Sequence, residues 1–109
     1  MSTATPIYRD TRALAGVLLQ TLAGSDRYAS LCNRIETTAL QLLDEVSLAL
    51  GGFDTVVAIE RADMTLRCLR SQLLLAYELE ILAEDDFEDF AEGTNAIGRQ
   101  LGGWLKKLA

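Results

Sequence analysis

The chain has 109 residues, half of them hydrophobic and 6% aromatic, with ten basic and sixteen acidic side chains, no histidine and a net charge of −6. That length suits one domain, and that charge excludes a general binder of nucleic acid or anionic membrane, whose footprint is basic. Without histidine the commonest general base is gone, and with it the usual catalytic triad and the Glu-x-x-His ligand set of di-iron bundles.

Leu and Ala dominate the apolar half, and the one proline is Pro6. No long β-branched alternation occurs, so the expected class is all-α. Met1 to Pro6 reads as a short polar lead, with Pro6 able to open a helix. The first helix is expected over 8–23, where Leu14, Leu18 and Leu22 form one row beside Ala15 and Leu19. Gly24, Ser25 and Asp26 then suit a stop and a new start.

The second helix is expected over 27–50. Its stripe is Tyr28, Leu31, Cys32, Ile35, Ala39, Leu42, Val46 and Ala49, with Leu40 and Leu48 falling off it. Gly51-Gly52 ends it, and Asp54 or Thr55 caps the next.

The third helix, expected over 55–83, is the element around which the others are arranged. Ile59, Ala62, Leu66, Leu69, Leu73 and Ala76 make one apolar stripe, and Met64, Cys68, Leu75, Leu79 and Leu82 make a second on another side. A surface helix needs only one such stripe. Two imply a helix wedged between neighbours, and Arg67 and Arg70 lie between them.

The fourth helix is expected over 86–108. Phe87, Phe90, Thr94, Ile97, Leu101, Trp104 and Leu108 follow a heptad stripe. Its start is acidic: Glu84, Asp85, Asp86, Glu88, Asp89 and Glu92, outside which acids and bases balance. Part of this block complements a helix N-terminus and the rest reads as a solvated face. Calcium loops need spaced oxygen ligands and a central glycine that are missing here, so no metal is expected. Glycine costs about 1 kcal/mol inside a helix. Gly98, Gly102 and Gly103 therefore point to close approach of another backbone, and a large side chain at Gly98 or Gly102 is expected to disrupt the packing.

Four helices with short connections imply an antiparallel up-down-up-down bundle in one domain, 1–109. The surplus apolar positions imply a homo-oligomer that buries an outer surface. Cys32 and Cys68 are too few for a disulfide scaffold and read as buried, reduced thiols of a cytoplasmic protein. No cleavable leader and no apolar run long enough to cross a membrane is read. No phosphate loop is found, the cysteines lack a nearby base, and Glu78 and Glu80, two apart, fall on different helix faces, so neither an enzyme nor a cofactor is expected.

Three segments carry a family resemblance. Ala62-Asp63 with Leu66, Leu69-Arg70, Leu73 and Ala76 resembles the third helix of the accessory variability determinant (Avd) proteins of diversity-generating retroelements. The run Ile97 to Lys107, with Gly98-Arg99, small residues and Trp104, resembles that family's closing helix. Arg27-Tyr28 followed by Asn33-Arg34-Ile35 is similar to the second helix there and in bundle proteins encoded in ribosomal-RNA intervening sequences. The resemblance implies a four-helix bundle assembling into a pentameric ring. It further implies a non-enzymatic accessory that helps a reverse transcriptase copy its template RNA. Arg27, Arg34, Arg67, Arg70, Arg99, Lys106 and Lys107 are the cations that could serve such binding, and the acidic balance weighs against the RNA part. A protein-only interaction bundle of the intervening-sequence type stands as the alternative, and Asp63 to Arg67 is spaced for an ion pair within the helix.

Overall fold

Four helices account for most of the chain: α1 (Pro6–Leu22), α2 (Ala29–Leu50), α3 (Thr55–Glu78) and α4 (Glu84–Leu108). The structure, a computed structural model, describes residues 5–108, so the polar lead expected from Met1 falls largely outside them. No strand occurs among the described residues, an arrangement compatible with a four-helix bundle.

The connections are set by backbone geometry at single residues. After α1, Ala23 (φ −59, ψ 131) and Gly24 (φ 77) make a turn closed by the Ser25 N–H donating to Leu22 O at 3.2 Å. Glycine at the second central position is what a type II turn requires. After α2, Gly52 is left-handed (φ 81), the Gly52 N–H donates to Ala49 O, and the Phe53 N–H donates to Leu48 O. That is a Schellman stop.

α3 ends at Glu78, five residues before the expected end. It stops by the same motif, built on Glu80 (φ 62): the Glu80 N–H reaches Tyr77 O and the Ile81 N–H reaches Ala76 O at 2.8 Å. α2 starts at Ala29, two residues past the expected start, whereas α3 starts at Thr55 with Asp54 at the cap position, as expected. Their cap residues, Tyr28 (φ 53) and Asp54 (φ 45), are left-handed, and neither side chain accepts a capping hydrogen bond.

The core follows the spacing read from the sequence. Leu14, Leu18 and Leu22 of α1 are buried, as are Ile35, Leu42 and Val46 of α2. Ile59, Ala62, Leu66, Leu69, Leu73 and Ala76 of α3 are all buried, and so are Phe90, Thr94, Ile97 and Leu101 of α4. Four threonines join them, three relieving their hydroxyl on a carbonyl of their own helix: Thr11 on Ile7 O, Thr38 on Arg34 O and Thr94 on Ala91 O. Burying a hydroxyl without such a partner costs several kcal/mol.

The second stripe of α3 is where expectation and structure part. Leu82 is buried, but Met64, Cys68 and Leu75 are exposed. The helix has neighbours on one broad face only. Cys68 is therefore not the buried thiol expected, whereas Cys32 is buried. Tyr28 and Leu108, the outermost members of their stripes, are also exposed.

Contacts run α1–α2, α2–α3, α3–α4 and α1–α4, closing a circuit in which, among the described residues, the backbones of diagonal helices do not come within 8 Å between Cα atoms. Gln41 Nε2 of α2 donates to Thr65 Oγ1 of α3 at 3.4 Å, and Gln100 Nε2 of α4 donates to Asp10 Oδ2 of α1 at 2.8 Å. Tyr77 and Phe87 stack at 4.6 Å between centroids, tying the end of α3 to the start of α4. One cleft is lined by Pro6, Ile7, Leu50, Trp104 and Lys107. Another is lined by Ile59, Met64, Leu101 and Leu105. The starts of α1 and α3 thus share one end of the molecule with the finishes of α2 and α4. The overall extents are 42 × 22 × 19 Å.

Candidate interaction surface

The seven candidate cations do not gather in one place. Arg27 and Arg34 are exposed near the start of α2, with the Arg27 guanidinium 5.5 Å from the Tyr28 ring centroid. Arg34 stands sixteen residues before Leu50, a helical rise of about 24 Å, so this pair occupies the end opposite Lys107. The two cations of α3 have different fates. Arg67 is exposed and its Nε lies 3.3 Å from Asp63 Oδ2, the spacing-predicted pair. Such an exposed pair contributes well under 1 kcal/mol and leaves the guanidinium open to another anion. Arg70 is half-buried; its Nη2 donates to Thr94 O at 3.2 Å, and its Nε is buried without a hydrogen-bond partner. That guanidinium serves the α3–α4 joint.

Arg99, Lys106 and Lys107 are exposed on α4. Arg99 and Lys106 are seven residues apart and share its outer face. Arg67 faces the same half of α4 across a cleft of about 390 Å³, lined by Ile59, Glu60, Asp63, Met64, Leu101, Gly102 and Leu105. The structure therefore places Arg67 at the wall of this cleft together with Glu60 and Asp63, leaves Arg99 and Lys106 exposed on α4 outside its lining, and puts Lys107 on the separate cleft with Pro6, Ile7 and Leu50. It leaves Arg27 and Arg34 at the other end.

The three glycines divide likewise. A Cβ on Gly98 would stand 2.7 Å from Arg70 Nη2 and 3.4 Å from Leu66 Cδ2. What approaches Gly98 is the arginine side chain that crosses to Thr94 O, and not another backbone. At Gly102 and Gly103 a Cβ would meet nothing within 4 Å. The close helix approach expected there is not made within the chain; α4 turns these two glycines outward, and Gly102 borders the cleft.

The sequence reading did not single out Phe53, Val56 or Val57, all large, apolar and exposed. Their only signal is that they stand off the Ile59 to Ala76 stripe. Among the described residues no three acidic or thiol side chains converge to hold a metal ion, and no helix is long and apolar enough to cross a membrane. No protein-family model, no curated protein and no solved structure matches the chain.

Proposed function

We propose that the chain is a non-enzymatic interaction module: an antiparallel up-down-up-down bundle that self-associates and serves as an adaptor. The end-to-end adjacency of consecutive helices supports the antiparallel order. The observation that carries the adaptor reading is the cleft between α3 and α4. Its floor is apolar (Ile59, Met64, Leu101 and Leu105), and Arg67, Glu60 and Asp63 stand at its wall, with Arg99 and Lys106 exposed elsewhere on α4. An apolar floor with one guanidinium and two carboxylates at its wall suits a protein partner presenting apolar side chains together with charged groups, while the exposed cations of α4 are the groups open to phosphate. Following the resemblance to the Avd proteins, the partner proposed is a retroelement reverse transcriptase, with its template RNA, and the assembly is a homo-oligomer such as the pentameric ring that family implies.

A protein-only role is the second reading. It is favoured by the scatter of the cations over two ends and by the ion pair that already occupies Arg67.

Binding of RNA by the purified protein, titrated with salt between about 50 and 200 mM, separates the two, because phosphate contacts lose affinity steeply over that range. Expected is micromolar or tighter binding that falls with salt and is abolished by Arg67→Glu with Arg99→Glu. Absence of binding at low salt overturns the RNA role and leaves the protein-only adaptor.

A further inference from the structure

Arg70 is a cation that the fold half-buries and that no carboxylate answers. Among the described residues its one hydrogen bond runs from Nη2 to Thr94 O, its Nε is enclosed without a partner, and no acidic side chain pairs with it. Guanidinium groups are seldom buried unless paired, because taking them out of water needs an answering charge. A single neutral carbonyl offsets little of that. The donors on Nη1 and the second N–H of Nη2 remain for an acceptor from outside the chain.

Beside Arg70 lies a cavity of about 210 Å³ between α3 and α4. Leu73, Leu74, Phe87 and Ala91 give it apolar walls. The inner walls are firmly held: Leu73 is buried, and the Phe87 ring stacks on Tyr77 with centroids 4.6 Å apart. Leu74, 47% exposed, and Asn95 lie on its solvent side. Thr94 also lines the cavity, but its hydroxyl already donates to Ala91 O at 2.9 Å. The side-chain donors left to greet a ligand are therefore the Arg70 guanidinium and the Asn95 amide.

We propose that this cavity binds a small organic acid, its carboxylate on Arg70 and its apolar body among Leu73, Leu74, Phe87 and Ala91. A carboxylate accepts two parallel N–H bonds from a guanidinium, the strong charge-assisted pairing that the protein itself does not supply here. Apolar walls with a few convergent polar groups are the usual make-up of a ligand site. The volume lies below the roughly 300–1,000 Å³ of sites for drug-sized ligands, so the occupant is a short alkyl or single-ring acid. One cation answers one negative charge. A dianion such as phosphate would also face Asp86 and Glu88, which flank Phe87 in the sequence, and would find no second cation in the lining. The site does not rest on the adaptor reading, whose cleft is lined by other residues, from Ile59 to Arg67 of α3 and Leu101 to Leu105 of α4.

The test is a titration of the purified, isotope-labelled protein followed by amide NMR shifts, with phenylacetate, hexanoate, phenylacetamide and inorganic phosphate as probes. Both acids should bind saturably in the millimolar range, as befits ligands of so few atoms, with shifts centred on Leu73, Leu74, Ala91 and Asn95. Phenylacetamide matches phenylacetate in shape without its charge and should bind weaker by about tenfold or more, the share of a charge-assisted hydrogen bond. Arg70→Met should erase that preference for acid over amide. Leu74→Glu sets a carboxylate one turn beyond Arg70, spaced to pair with it inside the helix. Because Leu74 is exposed, this variant should melt like the parent and no longer take up either acid, which keeps the test decisive if Arg70→Met does not fold. Shifts that are absent or scattered over the surface, equal affinity for acid and amide, phosphate binding as tightly as the acids, or undiminished acid binding by the folded Leu74→Glu variant would each overturn the proposal.

Discussion

Single residues in α4 show how one residue type is used in two ways. Gly98 lets the Arg70 guanidinium reach Thr94 O, so its missing Cβ is occupied by the side chain of a neighbouring helix. Gly102 has open space where its Cβ would be. The two sites therefore separate under one substitution. Gly98→Leu should destabilise by about 1–3 kcal/mol, because Arg70 must leave its acceptor and Leu66 has little room. Gly102→Leu should stabilise the isolated chain by about 0.5–1 kcal/mol, the gain in helix propensity over glycine. Urea midpoints of the two variants check this; equal losses at both sites would mean that Gly102 is covered after all. From sequence the two glycines were indistinguishable. A small-residue row reports that something can come close, and says nothing of whether it is a backbone, an arginine or water.

Elements were legible to the extent that their signal is periodic. The stripe from Ile59 to Ala76 gave the buried face of α3 residue by residue, because a 3.6-residue repeat leaves few other ways to hide that many leucines. The end of α3 was not legible. Ile81 and Leu82 keep supplying apolar residues past the helix, and the stop rests on a glutamate in a left-handed conformation that L side chains seldom adopt. Glu80→Gly should remove that strain and stabilise by about 0.5–1 kcal/mol, the gain being trimmed by the extra freedom of glycine in the unfolded chain. A lower urea midpoint for this variant would mean that the Glu80 side chain makes a stabilising contact. The second α3 stripe was legible as apolar and misjudged as buried. Periodicity identifies faces of equal character but carries no record of which face meets a neighbour in the same chain. The candidate cations suffered similarly: Arg67 and Arg70 are three apart, yet one reaches solvent and the other is tied to Thr94 O.

Over the whole molecule, α4 is the helix that separates charge along its own length. The acidic block at the start of α4 and the basic close of the same helix lie at opposite ends of a body 42 Å long. A net charge of −6 averages these two regions and conceals both. The salt titration of RNA binding belongs to this scale, because it asks whether one positive end prevails over the total. At the residue scale each exposed cation contributes little; Arg99, Lys106 and Lys107, exposed on one helix, can act together.

Pro6 and Lys107 line the same cleft, although they are separated by nearly the full length of the chain. Covalent continuity is thus one short splice away from forming a loop. A permuted gene that joins the two termini through a few flexible residues and opens the chain anew at Gly24 should yield the same helical array, reordered α2-α3-α4-α1. Circular dichroism and a cooperative melt close to that of the parent would be expected, since the new break falls in an exposed turn and the splice spans helices already in contact. Whatever is tethered to either terminus will be delivered to the pole of Lys106 and Lys107, leaving the carboxylate pole unobstructed.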